Sequence, residues 1–309
     1  MIRRTLLALA GQQPIQHALT TWPISRNVVS RFVAGPSTDD AVRVAGELAR
    51  NGLRCTLDHL GEDTVDAAQA DQVTAAYLDL LRRIGETNVA EYAEVSVKLS
   101  AIGQALGADG EKIATDNARE ICAAAAAVGT TVTLDMEDHT TTDSTLGILS
   151  ELRADNPWVG AVLQAYLYRT ESDATRLATE GSRVRLCKGA YSEPPSVAFE
   201  ERSEIDRAYV RSAKILLSGK GYPMLATHDP RLVEIVQAMA RTFRREPGSY
   251  EFQMLYGVRP EEQLRLSDAG EKVRVYVPYG VQWYGYMMRR MAEKPANLAL
   301  FLKSLTSTS

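Results

Sequence analysis

Eight short β-rich runs alternate with longer helical ones along this chain, and no other feature narrows the choice of fold as much. The runs are LRCTLDHL (53–60), EVSVKLS (94–100), TVTLDME (131–137), VGAVLQAYL (159–167), VRLCKGAY (184–191), YPMLATH (222–228), EFQML (251–255) and VRVYV (273–277). Short runs rich in β-branched and apolar residues read as strands. Between them lie amphipathic segments such as STDDAVRVAGELARNG, where Ser37 reads as the cap and Gly52 as the stop. VDAAQADQVTAAYLDLLRRIGE, DNAREICAAAAAVG, RSEIDRAYVRSAKILLSGKG and PRLVEIVQAMARTF read as helices too. Eight strand-helix units within 309 residues predict a closed (β/α)8 barrel of the TIM type. A doubly wound open sheet is the runner-up, and the absence of an early Gly-rich dinucleotide loop counts against it. We expect one barrel domain over 37–305, a helical N-terminal segment over 1–36 and a frayed tail at 306–309.

Composition removes several function classes. A net charge of -4 leaves no global basic footprint, so nucleic acid is not the expected partner. Cys55, Cys122 and Cys187 are odd in number and far apart, as expected of reduced thiols in the cytoplasm. His17, His59, His139 and His228 show no ligand spacing, so no metal site is expected. The opening MIRRTLLALAG imitates a secretion signal, but its apolar run from Thr5 to Ala10 is short for one. No run approaches the roughly 18 apolar residues of a spanning helix, so membrane contact is expected to be peripheral, at the inner membrane. Neither a Ser nucleophile elbow nor a Walker loop is present.

In a barrel of this kind the site forms at the C-terminal ends of the strands. Those ends carry Asp58 and Glu62, then Lys98, then Asp135 with Glu137 and Asp138, then Gln164 and Tyr166. Further round come Lys188 with Tyr191, Thr227 with His228, and Tyr276 with Tyr279. Strand ends are wet in any protein, so each position alone says little. Lys98 and Lys188, however, sit inside apolar runs, and lysine is rarely buried unless paired. Strand alternation points Asp135 and Glu137 to one face. After the last strand comes YVPYGVQWYGYMMRRMAEKPAN (276–297), where Tyr286, Arg289, Arg290 and Glu293 share one helix side. The plain reading of that side is a surface helix with an Arg–Glu pair. The functional reading is a double guanidinium clamp for a carboxylate, with an aromatic wall one turn away. With Lys98, Arg185 and Lys188 added, the set calls for an anionic ligand: a phosphate-bearing cofactor, a carboxylate substrate, or both.

VRLCKGAY, LATH, EFQMLYG, VRVYVPYG and YxxRRxAExPAN together resemble the proline dehydrogenase family in its monofunctional form, from about Leu53 to Asn297. The resemblance implies a distorted (β/α)8 barrel that binds FAD and oxidises L-proline to 1-pyrroline-5-carboxylate. It implies hydride transfer from proline C5 to flavin N5, with electrons passed to a membrane quinone and product to a separate pyrroline-5-carboxylate dehydrogenase. By the same resemblance, Arg289, Arg290 and Lys98 hold the proline carboxylate, and Tyr276, Tyr286 and Leu255 line its ring. Glu62 matches an acid that closes over the substrate, and Asp135 and Arg185 match catalytic polar residues against the flavin. Met136, Gln164, Lys188, Gly189, Ala190, Thr227 and His228 match cofactor contacts, with Tyr191 nearby. Gly189 and Ala190 are expected to let backbone N–H groups approach the cofactor. The rival readings are a barrel lyase or isomerase acting on a phosphorylated or carboxylate substrate without flavin, and a non-catalytic amino-acid-binding module.

Overall fold

The strands are β1 (Arg54–His59), β2 (Ala93–Val97), β3 (Val132–Leu134), β4 (Ala161–Gln164), β5 (Arg183–Cys187), β6 (Tyr222–Ala226), β7 (Glu251–Leu255) and β8 (Val273–Tyr279). The helices are α1 (Thr38–Arg50), α2 (Ala67–Gly85), α3 (Gly110–Ala127), α4 (Thr142–Asp155), α5 (Thr170–Thr179), α6 (Arg202–Ser218), α7 (Pro230–Thr242), α8 (Pro260–Asp268) and α9 (Tyr284–Glu293). The structure is a computed structural model that describes residues 29–61 and 64–293, the side chains of 290–293 excepted. Most of the expected helical segment before residue 37, and the expected tail, therefore lie outside the described residues.

The strands are all parallel, in the order β3-β2-β1-β8-β7-β6-β5-β4. The two ends of that row meet at a single bridge between Thr133 and Gly160. Two hydrogen bonds carry it, Leu134 N–H to the Gly160 carbonyl and Gly160 N–H to that of Val132, each 2.9 Å. The expected eight-stranded barrel is therefore present and nearly closed, with β3 and β4 forming its thinnest seam.

Period-two alternation divides each strand between two environments. One set, which includes Cys55, Leu57, Val95, Val97, Val184, Leu186, Phe252, Val273 and Val275, joins the main hydrophobic core. Helix residues such as Tyr77, Leu80, Leu81 and Ile84 of α2 and Ile121 of α3 pack into the same core. Burial of each large side chain contributes roughly 1.5–3 kcal/mol, which is what holds the helices on the barrel. The other set points inward and is polar: Thr56, Glu94, Ser96, Arg183, Arg185, Glu251, Gln253 and Arg274 bond to one another across the barrel. Barrels of this architecture are usually filled by branched apolar side chains, so a charged interior must be paired throughout.

Local signals end the elements where chemistry requires. Ser37 and Asp40 cap α1 reciprocally, and Gly52 adopts φ +71° just past its end, both as the sequence predicts. Asp229 caps α7 with Pro230 in its first turn. Cys55 and Cys122 are buried, with thiols pushed up to about 12 by burial, and none of the three cysteines is in a disulfide. Among the described residues, no helix is long and apolar enough to cross a membrane.

Candidate active site

The site rests on a floor of ions inside the barrel. Glu94 accepts from Thr56 Oγ1 at 2.8 Å, Thr131 Oγ1 at 2.9 Å and Arg183 Nη2 at 2.7 Å, and faces Arg274 Nε at 3.7 Å. Glu251 takes Arg274 Nε at 2.6 Å, Tyr222 OH at 3.0 Å and Gln253 Nε2 at 2.7 Å. Burial pushes both carboxyls up, but the guanidiniums outweigh it and hold them below the usual range: Arg274, Arg183 and Arg185 for Glu94, and Arg274 for Glu251. The third arginine, Arg185, links this floor to the layer above it, lying 3.4 Å from Glu94 and 2.7 Å from Asp135.

Arg185 is fixed on every side. Its Nε donates to Gln253 Oε1 at 2.6 Å, and its Nη1 donates to Asp135 Oδ1 at 2.7 Å and Ser96 Oγ at 3.0 Å. Its Nη2 lies 3.4 Å from both Thr56 Oγ1 and Glu94 Oε1, and its Cζ is 5.2 Å from the centre of the Tyr276 ring. Asp135 also accepts from Ser96 Oγ at 2.7 Å and from the Tyr276 hydroxyl at 2.6 Å. Burial, Asp135 and Asp58 raise the Tyr276 phenol well above its ordinary value, so it remains a donor. Beside it, Lys98 Nζ is held by both oxygens of Asp58 at 2.8 Å and lies 3.7 Å from Asp135. Asp58 is 1% exposed and Lys98 6%, so their pairing is what makes either charge tolerable there. Burial raises the Asp58 carboxyl, against the pull of Lys98. The outcome is a rigid, charge-balanced cluster of Asp58, Lys98 and Asp135 at the outgoing ends of β1, β2 and β3 with Arg185 from the middle of β5.

A proline dehydrogenase family model matches residues 41–301. The chain belongs to the proline dehydrogenase family. It is 38% identical over 305 residues to Proline dehydrogenase 1 of Bacillus subtilis subsp. natto, covering 99% of each chain. It is 38% identical over 283 residues to the Proline dehydrogenase of Deinococcus radiodurans, covering 90% of each. Its fold is similar to the crystal structure of proline utilization A from Bdellovibrio bacteriovorus inactivated by N-propargylglycine, with a TM-score of 0.77 and 27% identity. That similarity covers 86% of this chain and 32% of the larger protein. Membership makes the chain a proline-oxidising enzyme with a TIM-like barrel.

The residues that the family resemblance singles out fall into groups. Asp135, Arg185 and Lys98 belong to the cluster just described, Tyr276 joins it through Asp135, and Leu255 pairs in register with Tyr276 on the neighbouring strand. The Leu255 N–H donates to His228 Nε2 at 2.9 Å, which anchors the imidazole beside β7. Thr227 Oγ1 accepts from the Asp229 N–H at 3.1 Å. Gln164 reaches the Glu137 carbonyl at 2.7 Å, and Met136 packs into the main core. In α9, Tyr286 is buried against a small apolar cluster with Leu60, Val29 and Val33, and Arg289 Cζ lies 5.7 Å from the centre of the Tyr191 ring. Arg290 lies in α9 with its side chain outside the described residues, and Glu62 lies outside them altogether.

Two expectations are corrected. Lys188 is not buried: its side chain is 36% exposed and pairs with Asp206, with Asp229 3.7 Å away. Asp135 and Glu137 do not share a strand face, because β3 stops at Leu134; Asp135 enters the barrel while Glu137 bonds Ser100 N at 3.1 Å and Oγ at 2.7 Å. Gly189 has a reason beyond close approach to a ligand. Its φ is +115°, and a Cβ there would run into the Tyr166 ring. A cofactor with rings and phosphates fits the donor types on these loops, the Gln164 amide, Lys188 ammonium, Thr227 hydroxyl and His228 imidazole. Because Asp206 already pairs Lys188, a phosphate there has to compete with a carboxylate.

Several residues of the site escaped the sequence reading: Ser96, Gln253, Glu94, Glu251 and Arg274. A signal for them exists. In EVSV (94–97), RVR (183–185), EFQ (251–253) and VRVYV (273–277) polar or charged residues alternate with apolar ones, the mark of strands whose inner face is an ion network.

Proposed function

We propose that the chain oxidises L-proline to 1-pyrroline-5-carboxylate with bound FAD and passes the electrons to a membrane quinone. FAD, when bound, supplies the acceptor for the hydride that leaves proline C5. The observation that carries this reading is the Arg185–Asp135–Tyr276–Lys98 cluster at the strand ends of a chain in this family. Arg289 and Arg290 hold the carboxylate, and Lys98 adds less than its full charge because Asp58 offsets it. Tyr276, Tyr286 and Leu255 exclude water from the ring, which reacts with its amine neutral. Arg185, locked by five neighbours, presents fixed positive charge where charge develops, and Asp135 keeps it aimed. Met136, Gln164, Lys188, Gly189, Ala190, Tyr191, Thr227 and His228 hold the cofactor, and Glu62 closes the entrance. A separate pyrroline-5-carboxylate dehydrogenase consumes the product, and quinone access is by peripheral contact at the cytoplasmic face of the membrane.

The purified protein is expected to carry non-covalent flavin whose visible absorbance bleaches when L-proline is added without oxygen. Bound flavin that proline does not bleach overturns the substrate assignment, and a colourless protein that does not take up FAD overturns the cofactor.

A further inference from the structure

The β3–β4 seam has only one backbone bridge, yet Asp135 lies just beyond one side of it and Arg185 beyond the other. Something other than the sheet ladder must hold the loops above it. Glu193, in the loop after β5, has a side chain only 2% exposed. One of its oxygens accepts from the His139 N–H at 3.0 Å and the Tyr166 hydroxyl at 3.2 Å, and the other meets His139 Nδ1. His139 follows β3 and Tyr166 follows β4. A single carboxylate thus ties three successive loops together, across the seam. The Tyr166 ring in turn sits where Gly189 lacks a side chain, and the Tyr166 N–H donates to the Lys188 carbonyl at 3.0 Å. The Tyr166 hydroxyl also lies 3.3 Å from Gln164 Oε1, an alternative acceptor for its one proton.

We infer that Glu193 is a positioning residue for the cofactor site: it touches no flavin itself but locks the 136–139, 164–168 and 188–193 loops into one surface. The inference rests on the flavin reading above. Binding to a surface already ordered avoids the entropy of ordering it, so loss of the tie should appear as weaker cofactor binding. A buried carboxylate with three donors is also hard to replace, because its removal takes the acceptor from all three.

The test is the FAD dissociation constant, measured by flavin fluorescence on protein stripped of and returned to FAD. Glu193→Ala and His139→Ala are each expected to weaken FAD binding about 10-fold or more, and His139→Asn, which restores a donor near the Nδ1 position, to recover most of it. Glu193→Gln, which keeps the shape, is expected to fall between wild type and Glu193→Ala. At saturating FAD, KM for proline is expected to stay within about twofold of wild type, a split that a general loss of structure does not produce. Wild-type FAD affinity in Glu193→Ala, no recovery in His139→Asn, or a parallel rise in KM overturns the inference. If wild-type protein binds no FAD, the function proposed above fails instead.

Discussion

Asp58 and Glu94 are both buried carboxylates facing cations, and their protons answer to opposite forces. Around Glu94 three guanidiniums outweigh burial and depress its pKa. Around Asp58 burial and the neighbouring Asp135 outweigh one lysine and raise it. A depressed carboxyl adds stability above its unfolded value of about 4, lost as pH falls through the folded value, whereas a raised one takes stability away at neutral pH. Asp58 is therefore held at a cost, and its partner explains why. Asp58→Asn takes from the Lys98 ammonium the carboxylate that holds it at 2.8 Å, with Asp135 lying farther off at 3.7 Å, and is expected to lower unfolding free energy by about 3 kcal/mol. Asp58→Asn combined with Lys98→Met is expected to be more stable than Asp58→Asn alone, because no uncompensated charge remains. Urea denaturation of the two variants checks it, and a double variant no more stable than the single one would show that the ammonium was never the problem.

At the scale of elements, the recognition proposed above falls to α9 and the strand-end loops. Arg290→Met is expected to weaken both proline and a ring carboxylate lacking the reactive amine by roughly 30-fold, about 2 kcal/mol, with flavin content unchanged. Steady-state KM and inhibitor constants measured side by side decide this, and unaltered values for both would make α9 an ordinary surface helix. The elements themselves are largely legible in the sequence as short β-rich runs, and in β1, β2, β5, β7 and β8 an apolar residue for the helix layer mostly alternates with a polar one for the barrel interior. Their outgoing ends are less so: the run 184–191 keeps a β-like composition to Tyr191, while β5 ends at Cys187. Gly189 needs its positive φ there, which no ladder accommodates. Arg185 and Asp135 are legible as polar groups near a strand end, but their mutual contact spans 50 residues. Glu193 and His139 are 54 apart and Arg183 and Glu94 are 89 apart, and nothing local to either partner announces the other.

For the whole molecule, the ion network inside the barrel makes acid the natural denaturant. Glu94 and Glu251 both have depressed carboxyls in the folded state, so their stabilisation is complete above about pH 4.3 and is lost as pH falls below it. Glu94→Gln is expected to lower stability at neutral pH by about 3 kcal/mol and to flatten the fall below pH 5, as read from thermal unfolding across a pH series. An unchanged slope would locate acid sensitivity elsewhere. The thin seam between β3 and β4 bears on a different question, that of descent. Where strands are joined by a full ladder, the backbone bonds fix the register and spacing of the pair. Across this seam the loops that follow β3, β4 and β5 are tied by side chains, Gln164 to the Glu137 carbonyl and Glu193 to the His139 N–H. Single substitutions there can shift one wall of the pocket while the other seven strand junctions keep their pairing, so the barrel carries a place where its chemistry is open to gradual revision.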